Sequence, residues 1–259
     1  MRALTPRPGA GALGGPLVHL DVTGSTNDHA RRLVLAGAPH GTVVVAERQT
    51  AGRGRQGRTW SAPPGRALTL SVLARVGAAA LEPLPLAVAI AICEACEDLV
   101  PAACSVKWPN DVWVDGRKVA GVLIEARPQD GWAVIGIGLN VDTAREELGG
   151  ELRRTATSLR IAAGEPVDRD AALDALLKRL AEWLGRLDDP PAVAAAFRER
   201  DALCGRRIAW SAGEQRYQGE AGGIDDDGAL VVFTDAGKRV RLDAGEVHLE
   251  REPEPRAPP

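Results

Sequence analysis

The 259-residue sequence is poor in aromatic side chains, cysteine, histidine and net charge. Aromatics make up 3%, and the six tryptophans outnumber the two phenylalanines and the single tyrosine. Because the formal net charge is only -3, no whole-molecule field would attract nucleic acid or an anionic membrane, and any basic site must be local. The four scattered histidines show no spacing typical of metal ligands, so no role is assigned to them.

Cysteine is too sparse for a disulfide framework in a chain of this length. The four cysteines are Cys93, Cys96, Cys104 and Cys204. Cys93 and Cys96 have CxxC spacing but lie in an apolar helical run without a second CxxC or a nearby His. They are expected to be buried structural thiols.

Long apolar runs are also missing. No stretch reaches the ~18 consecutive apolar residues of a membrane span, and the N-terminal residues lack the apolar segment of a signal peptide. A cytoplasmic protein without a membrane partner is therefore expected. Hydrophobic residues at 45% and charged residues at 26% are typical of a globular protein with a substantial core.

Composition divides the chain into four parts. Residues 1–16, rich in Gly, Pro and Ala, and residues 251–259 have no periodic pattern and are expected to be a flexible arm and tail. Residues 17–202 mix strand-like and helix-like segments, which predicts an α+β domain with a mixed β-sheet flanked by helices. Short strand-like runs separated by turns over residues 203–250 predict a small β-barrel.

Individual elements can be placed within the larger domain. Strands are predicted at 17–23, 42–47, 67–75, 105–108, 111–114, 118–126 and 132–141. Helices are predicted over 85–99 and 170–187, and a third begins near Ser25 or Thr26, whose hydroxyl side chains can cap it. Asp115-Gly116 is a strong hairpin signal, and Pro190-Pro191 is expected to mark the end of the leucine-rich helix.

The most informative segment is Gly52–Arg58, in which arginines alternate with glycines directly after a predicted strand. Glycine allows the backbone to approach a ligand closely, and arginine supplies a planar, permanently charged fork that suits phosphate or carboxylate. The segment therefore fits an anionic adenylate. A flexible Arg/Gly tether for nucleic acid is the alternative, but the position between two core strands favours a ligand site.

A second segment, Lys107–Asp111 followed by Gly116–Gly121, gathers two lysines, an amide and a carboxylate around one hairpin. A fixed ammonium at Lys118 suits the negative charge that develops during displacement at phosphate. Alone, the hairpin is better interpreted as surface lysines beside an Asn-Asp turn, and Ser25–Asn27 as a helix cap. The combination of these segments changes that interpretation.

In this order the segments resemble those of the biotin protein ligase family. Its marks are STN near the start, a GRGRxGR loop ending in Trp, KWPND continuing to GRKxAGxLxE, and a GIGxN strand; all are present between Leu17 and Leu159. The resemblance implies a class II synthetase-like (biotin/lipoate ligase) catalytic domain, and the C-terminal segment is similar to the family's SH3-like domain. Only about two dozen residues precede Ser25, too few for the helix-turn-helix of many members, so DNA binding is not expected.

The resemblance implies an ATP-dependent ligase that makes biotinyl-5'-AMP and then transfers biotin to a lysine. The acceptor would be the biotin carboxyl carrier domain of a biotin-dependent carboxylase. Mg²⁺ is expected to accompany ATP, with no metal ligand directly assigned, and the protein is expected to be a monomer or homodimer. Three rivals stay open: a lipoate ligase, disfavoured by the GRGRxGR loop; a nucleic-acid-binding module; and a catalytically silent biotin-binding protein, against which Lys118 argues.

The same resemblance implies roles for individual residues. Lys118 and Arg55 are expected to act in adenylation, and Asp111 to orient or deprotonate the acceptor lysine. The residues expected to bind biotin are Ser25, Thr26, Asn27, Gln49, Arg53, Gly54, Arg55, Lys118 and Gly121. The residues expected to bind ATP or the adenylate are Arg53, Arg55, Arg58, Trp60, Lys107, Asn110, Lys118 and Asn140. The arginine loop is expected to order when ligand binds.

Overall fold

A computed structural model describes residues 2–4, 13–212, 215–245 and 247–249. The strands of these residues are β1 Arg2–Leu4, β2 Leu17–Thr23, β3 Val43–Gln49, β4 Ala67–Arg75, β5 Cys104–Lys107, β6 Asp111–Val114, β7 Arg117–Arg127, β8 Trp132–Asn140, β9 Arg207–Ala212, β10 Gln215–Ile224, β11 Leu230–Thr234, β12 Arg239–Leu242 and β13 Val247–Leu249. The helices are α1 Thr26–Leu35, α2 Leu84–Glu97, α3 Leu152–Thr155, α4 Leu159–Ala163, α5 Arg169–Leu184 and α6 Pro190–Arg198.

The first eight strands form one mixed sheet in the order β1-β2-β3-β4-β8-β7-β6-β5. β2 and β3 pair in parallel, and the other neighbouring pairs of this sheet are antiparallel. A parallel pair needs a crossover connection, and α1 supplies it between β2 and β3. The predicted α+β class with a mixed sheet is therefore confirmed.

Helices cover both faces of this sheet. On one face, Ala30 and Val34 of α1 pack against Val44, Leu73 and Val134. On the other face, α2 lies in the main core with α5, and nearly all of its side chains are buried. This position explains why the α2 sequence is apolar all round instead of along one stripe. The predicted burial of the two CxxC thiols in α2 is confirmed.

The last five strands form an antiparallel sheet in the order β12-β11-β10-β9-β13. It is fastened to the β5–β6 hairpin, since the indole Nε1 of Trp108 donates to the Gly228 carbonyl at 3.0 Å. Val106 also forms a parallel bridge with Asp201. Leu230 and other side chains of the sheet belong to the same apolar cluster as α2. The two sheets therefore share one continuous core.

Several local predictions were wrong. Residues 2–4 form an edge strand on β2, and Leu13 is buried, so the predicted arm over 1–16 is structured at these positions. The leucine-rich helix α5 does end before Pro190, but α6 was missed; Pro190 begins it, because the first position of a helix needs no N–H donor and suits the fixed φ of proline. Strand β13 and the short helices α3 and α4 were not predicted. The predicted tail 251–259 lies outside the described residues.

The start of α1 also differs from the expectation. Ser25 occupies the N-cap position, but its side chain makes no capping hydrogen bond. Instead, Gln49 Oε1 accepts from the Thr26 backbone N–H at 2.7 Å. A side chain from the end of β3 thus satisfies a free N–H of the helix, and the Ser25 hydroxyl is left to line a cavity. None of the helices in the described ranges is long and apolar enough to cross a membrane.

Candidate active site

A cavity of about 1190 Å³ lies between the start of α1, the arginine-glycine segment, the β5–β7 hairpins and β13. We call residues Gly52–Trp60 the flap. All fifteen residues to which the sequence assigns a role line this cavity. The arginine segment and the KWPND–GRK hairpin, which are far apart in sequence, therefore face the same space.

The floor of the cavity exists because β8 carries glycines there. Alternate residues of a strand face the same side of a sheet, and on the α1 side Val134 is followed by Gly136 and Gly138. A Cβ on Gly136 would lie under 3.0 Å from Asn27 Oδ1, and one on Gly138 would overlap the Trp60 ring as closely. The GIGLN pattern thus makes room for two cavity side chains.

A network of buried polar groups forms the wall beside α1. The Thr26 hydroxyl donates to Gln49 Oε1 at 3.2 Å, and the Ser71 hydroxyl donates to Asn27 Oδ1 at 2.6 Å. Asn27 Nδ2 then donates to Glu125 Oε2 at 2.8 Å. Thr26 and Asn27 are each 3% exposed, so these bonds fix their orientation in a low-dielectric environment. With the flap closed, the wall therefore presents these side chains in one defined arrangement.

The flap is a tight hairpin in this structure. Gly54 N–H donates to the Arg58 carbonyl at 2.7 Å, and Trp60 N–H donates to the Gly52 carbonyl at 3.0 Å. Gln56, at the tip, has a φ of 54°, a left-handed conformation. A Cβ on Gly52 would lie 2.5 Å from the Trp60 carbonyl oxygen, so glycine is required at this crossing.

The flap arginines point to different partners. Arg53 pairs with Asp28 at 2.7 Å and with Glu125 at 3.2 Å. The Arg55 Nη1 donates to Asn110 Oδ1 at 3.4 Å, and burial lowers the pKa of Arg55 while nearby Asp111 opposes this shift. Arg55 therefore brings a partly desolvated cation to the hairpin side of the cavity.

Lys118 lies between the Asp111 carboxylate and the ring of Trp60 at the end of the flap. Its Nζ is 2.6 Å from Asp111 Oδ1 and 5.9 Å from the centre of the Trp60 ring. A Cβ on Gly121 would lie 3.0 Å from the same Nζ, so the absence of a side chain there admits the lysine. These contacts hold the ammonium in a defined position.

Lys107 extends this positive region, and the His248 imidazole lies at the same end of the cavity, where its neutral form is favoured. Burial lowers the pKa of Lys107; Asp111 opposes the shift, whereas Lys118 and Arg58 add to it. Burial also lowers the pKa of His248, with further lowering from Lys107 and Arg58. Cations this close repel one another, so a bound polyanion would relieve the repulsion.

Two parts of the wall were missed by sequence reasoning. β13 and its turn contribute Gly245, Val247 and His248, and residues 143–156 contribute a cover that includes Leu148 and Leu152. No local pattern marks either part, because each reaches the cavity through long-range packing. Asn140 Nδ2 donates to the Thr157 carbonyl at 3.0 Å, which ties the cover to the end of β8.

Two observations bear on what the cavity can hold. The Trp60 indole N–H is buried without a hydrogen-bond partner among the described residues, so it is a donor that a ligand acceptor could satisfy. The described ranges contain no group of three or more His, Cys, Asp or Glu side chains placed to hold a metal ion.

Comparison with known proteins identifies the family. Residues 20–142 match the biotin/lipoate A/B protein ligase family, and residues 203–249 match the biotin protein ligase C-terminal domain. The chain is 37% identical over 241 residues to a biotin–[acetyl-CoA-carboxylase] ligase of Mycobacterium tuberculosis, which covers 88% of this chain and 86% of the relative. The chain belongs to the biotin protein ligase family.

Other members support this assignment along nearly the whole chain. A biotin–[acetyl-CoA-carboxylase] ligase of Paracoccus denitrificans is 36% identical over 238 residues, or 87% of this chain and 97% of the relative. A solved structure, the biotin protein ligase from Aquifex aeolicus in complex with biotin and ATP, superposes with a TM-score of 0.78 at 31% identity, covering 91% of this chain and 99% of that one.

Proposed function

We propose that this family member is an ATP-dependent biotin protein ligase. It joins biotin to ATP as biotinyl-5'-AMP, and then transfers biotin to a lysine of a biotin carboxyl carrier domain. The observation that carries the proposal is the convergence of Lys118, Arg55 and a buried polar wall on one cavity. The similar structure from Aquifex aeolicus contains both biotin and ATP.

The cavity is suited to two substrates at once. Pockets for a single small ligand usually measure roughly 300–1,000 Å³, and this one measures about 1190 Å³. The Ser25–Asn27 wall would bind the ureido ring of biotin, which needs donors and acceptors once it leaves water. The cations at the opposite end would bind the phosphates of ATP, and the Trp60 indole N–H would donate to one of the two ligands.

Adenylation places a carboxylate next to a phosphate, and this is the repulsion that the site must overcome. A biotin carboxylate oxygen attacks the α-phosphorus, the bond to the bridging oxygen breaks, and pyrophosphate leaves. Lys118 and Arg55 are held in place by Asp111 and Asn110, so they can stabilise the extra negative charge without reorganising. Lys118 is therefore the principal catalytic residue of this step.

Mg²⁺ would enter with ATP. When bound, it neutralises the triphosphate and makes pyrophosphate a better leaving group. The lack of a carboxylate cluster in the described residues suits an ion held mainly by the phosphates, as is usual for Mg²⁺ with nucleotides. The side chains of Asn110 and Asn140 line the cavity and are the ones we assign to the nucleotide–metal complex.

Transfer requires an unprotonated acceptor lysine. Its amine attacks the acyl carbonyl of biotinyl-5'-AMP, and AMP leaves with the electron pair of the broken C–O bond. Asp111 lies beside Lys118 at the reacting end and is the group we assign to orient the amine and accept its proton. Closing the flap protects the anhydride from water until the acceptor arrives.

A direct assay tests the proposal. The protein is incubated with ATP, Mg²⁺, biotin and a carrier domain, and mass spectrometry should detect one added biotinyl group on the carrier. Lys118→Ala should abolish biotin-dependent exchange of pyrophosphate into ATP, whereas Lys178→Ala, on the exposed face of α5, should not. Modification with lipoate instead of biotin, or undiminished exchange in Lys118→Ala, would contradict the assignment.

A further inference from the structure

We infer that Asp28 and Glu125 are positioning residues that hold the flap against the cavity wall through Arg53. This inference rests on the proposed function for its catalytic consequence, but its structural content is independent of that function. In this arrangement Arg53 anchors the flap and is not the guanidinium that binds phosphate. That second task is left to Arg55.

The contacts of Arg53 are the basis for this division. Its Nη1 donates to Asp28 Oδ2 at 2.7 Å, and its Nη2 donates to Asp28 Oδ1 at 3.0 Å, a two-point interaction with one carboxylate. Nη2 also lies 3.2 Å from both carboxylate oxygens of Glu125. Asp28 lies on α1 and Glu125 on β7, so one guanidinium joins the flap to two rigid elements.

The Glu125 carboxylate connects flap closure to the polar wall beside α1. Glu125 Oε2 accepts from Arg53 and also from Asn27 Nδ2, the latter at 2.8 Å. Asn27 is held in turn by Ser71 at 2.6 Å. When Arg53 leaves with an opening flap, Glu125 loses its cationic partner and Asn27 loses part of its support. The closed flap and the ordered wall therefore stabilise each other.

The strength of the anchor suits a flap that has to open in every reaction cycle. The side chains of Arg53, Asp28 and Glu125 are 38%, 36% and 32% exposed, so solvent screens each ion pair and none is strong alone. The hydrogen bond from Arg53 lowers the pKa of Asp28, with smaller contributions from Arg31 and Arg32. The carboxylate thus stays ionised at neutral pH, and the anchor weakens as ionic strength rises.

The flap contains trypsin sites, which allow its closure to be measured without any substrate. Ligand-free protein and the variants Asp28→Asn and Glu125→Gln are treated with trypsin, and cleavage after Arg55 or Arg58 is followed by mass spectrometry. Both variants should be cleaved several-fold faster than the parent. Arg31→Ala is the matched control, because it removes a different cation from Asp28, at 3.2 Å, without touching the flap. Asp28→Glu, which keeps the charge, should restore most of the protection.

A second measurement tests the catalytic consequence. The proteins form biotinyl-5'-AMP without acceptor, and hydroxylamine traps what leaves the site. Asp28→Asn should release the adenylate about three- to tenfold faster and raise the KM for biotin, while the kcat of pyrophosphate exchange stays within about twofold. The release rate of the parent should increase with salt more steeply than that of the variant. A double-mutant cycle of Asp28→Asn with Arg53→Gln should be non-additive.

The outcomes separate the two claims. If Asp28→Asn and Glu125→Gln are cleaved at the rate of the parent, or if Arg31→Ala is cleaved as fast as they are, the positioning role is wrong whatever the protein catalyses. Unchanged adenylate release in Asp28→Asn would also overturn it. If instead the parent forms no adenylate, the proposed function fails, and the trypsin result still decides whether the anchor exists.

Discussion

Adding one methyl group to the cavity floor, as Gly138→Ala, should weaken substrate binding more than it weakens the fold. The new Cβ would lie under 3.0 Å from three ring carbons of Trp60, closer than real Cβ atoms come to other heavy atoms. Overfilling a packed site usually costs ~1–3 kcal/mol. Because Trp60 ends a flap and is only half-buried, we expect the ring to move out while the sheet stays intact.

If the displaced ring must return for substrates to bind, this cost appears in affinity. At about 1.4 kcal/mol per factor of ten, the KM for biotin or ATP should rise about 5- to 150-fold. The assay is biotin-dependent pyrophosphate exchange, with thermal unfolding measured on the same samples. Gly77→Ala is the control, since its Cβ would meet nothing within 4 Å at an ordinary φ of -72°. KM values for Gly138→Ala within twofold of the parent would refute the role given to the Trp60–Gly138 contact.

Two further predictions concern stability. Trp108→Phe removes the donor to the Gly228 carbonyl, so the free energy of unfolding measured in urea should fall by about 1–3 kcal/mol. An unchanged urea midpoint would mean that this bond does not fasten the C-terminal sheet. Burial raises the pKa of Asp201, so the ionised carboxylate is disfavoured in the folded protein. The free energy of unfolding of Asp201→Asn should therefore exceed that of the parent at neutral pH. This difference should shrink as the pH falls through the raised pKa. A constant difference across this range would contradict that explanation.

The parts of the site that could be predicted are those with strong local chemistry. The alternation of arginine and glycine in the flap, the lysines around Asp115-Gly116 and the glycines of β8 are each visible in a short window. Their lining of a common cavity followed from the family resemblance, and the structure places them all there. What binds to each of them stays a prediction.

The parts that could not be predicted depend on distant partners. β13 forms by pairing with the edge of β9, and His248 reaches the cavity because Trp108 and a shared apolar core hold the second sheet against the first. β1 likewise depends on the edge of β2. Pro190 follows α5 and also begins α6, and only the first of these two roles was predicted. A hydroxyl of Ser25 or Thr26 was expected to cap the helix, because no local rule predicts that Gln49, from another strand, accepts from the helix N–H.

The position of β13 means that the small C-terminal sheet is not a removable appendage. Gly228 abuts Leu86 of α2, and His248 lines the cavity. Removing the chain from residue 203 onward would open one side of the cavity. It would also expose the face of α2 that the C-terminal sheet covers. A minimal biotinylating enzyme should therefore keep the C-terminal sheet, and changes to its activity should be made by substitutions inside the cavity.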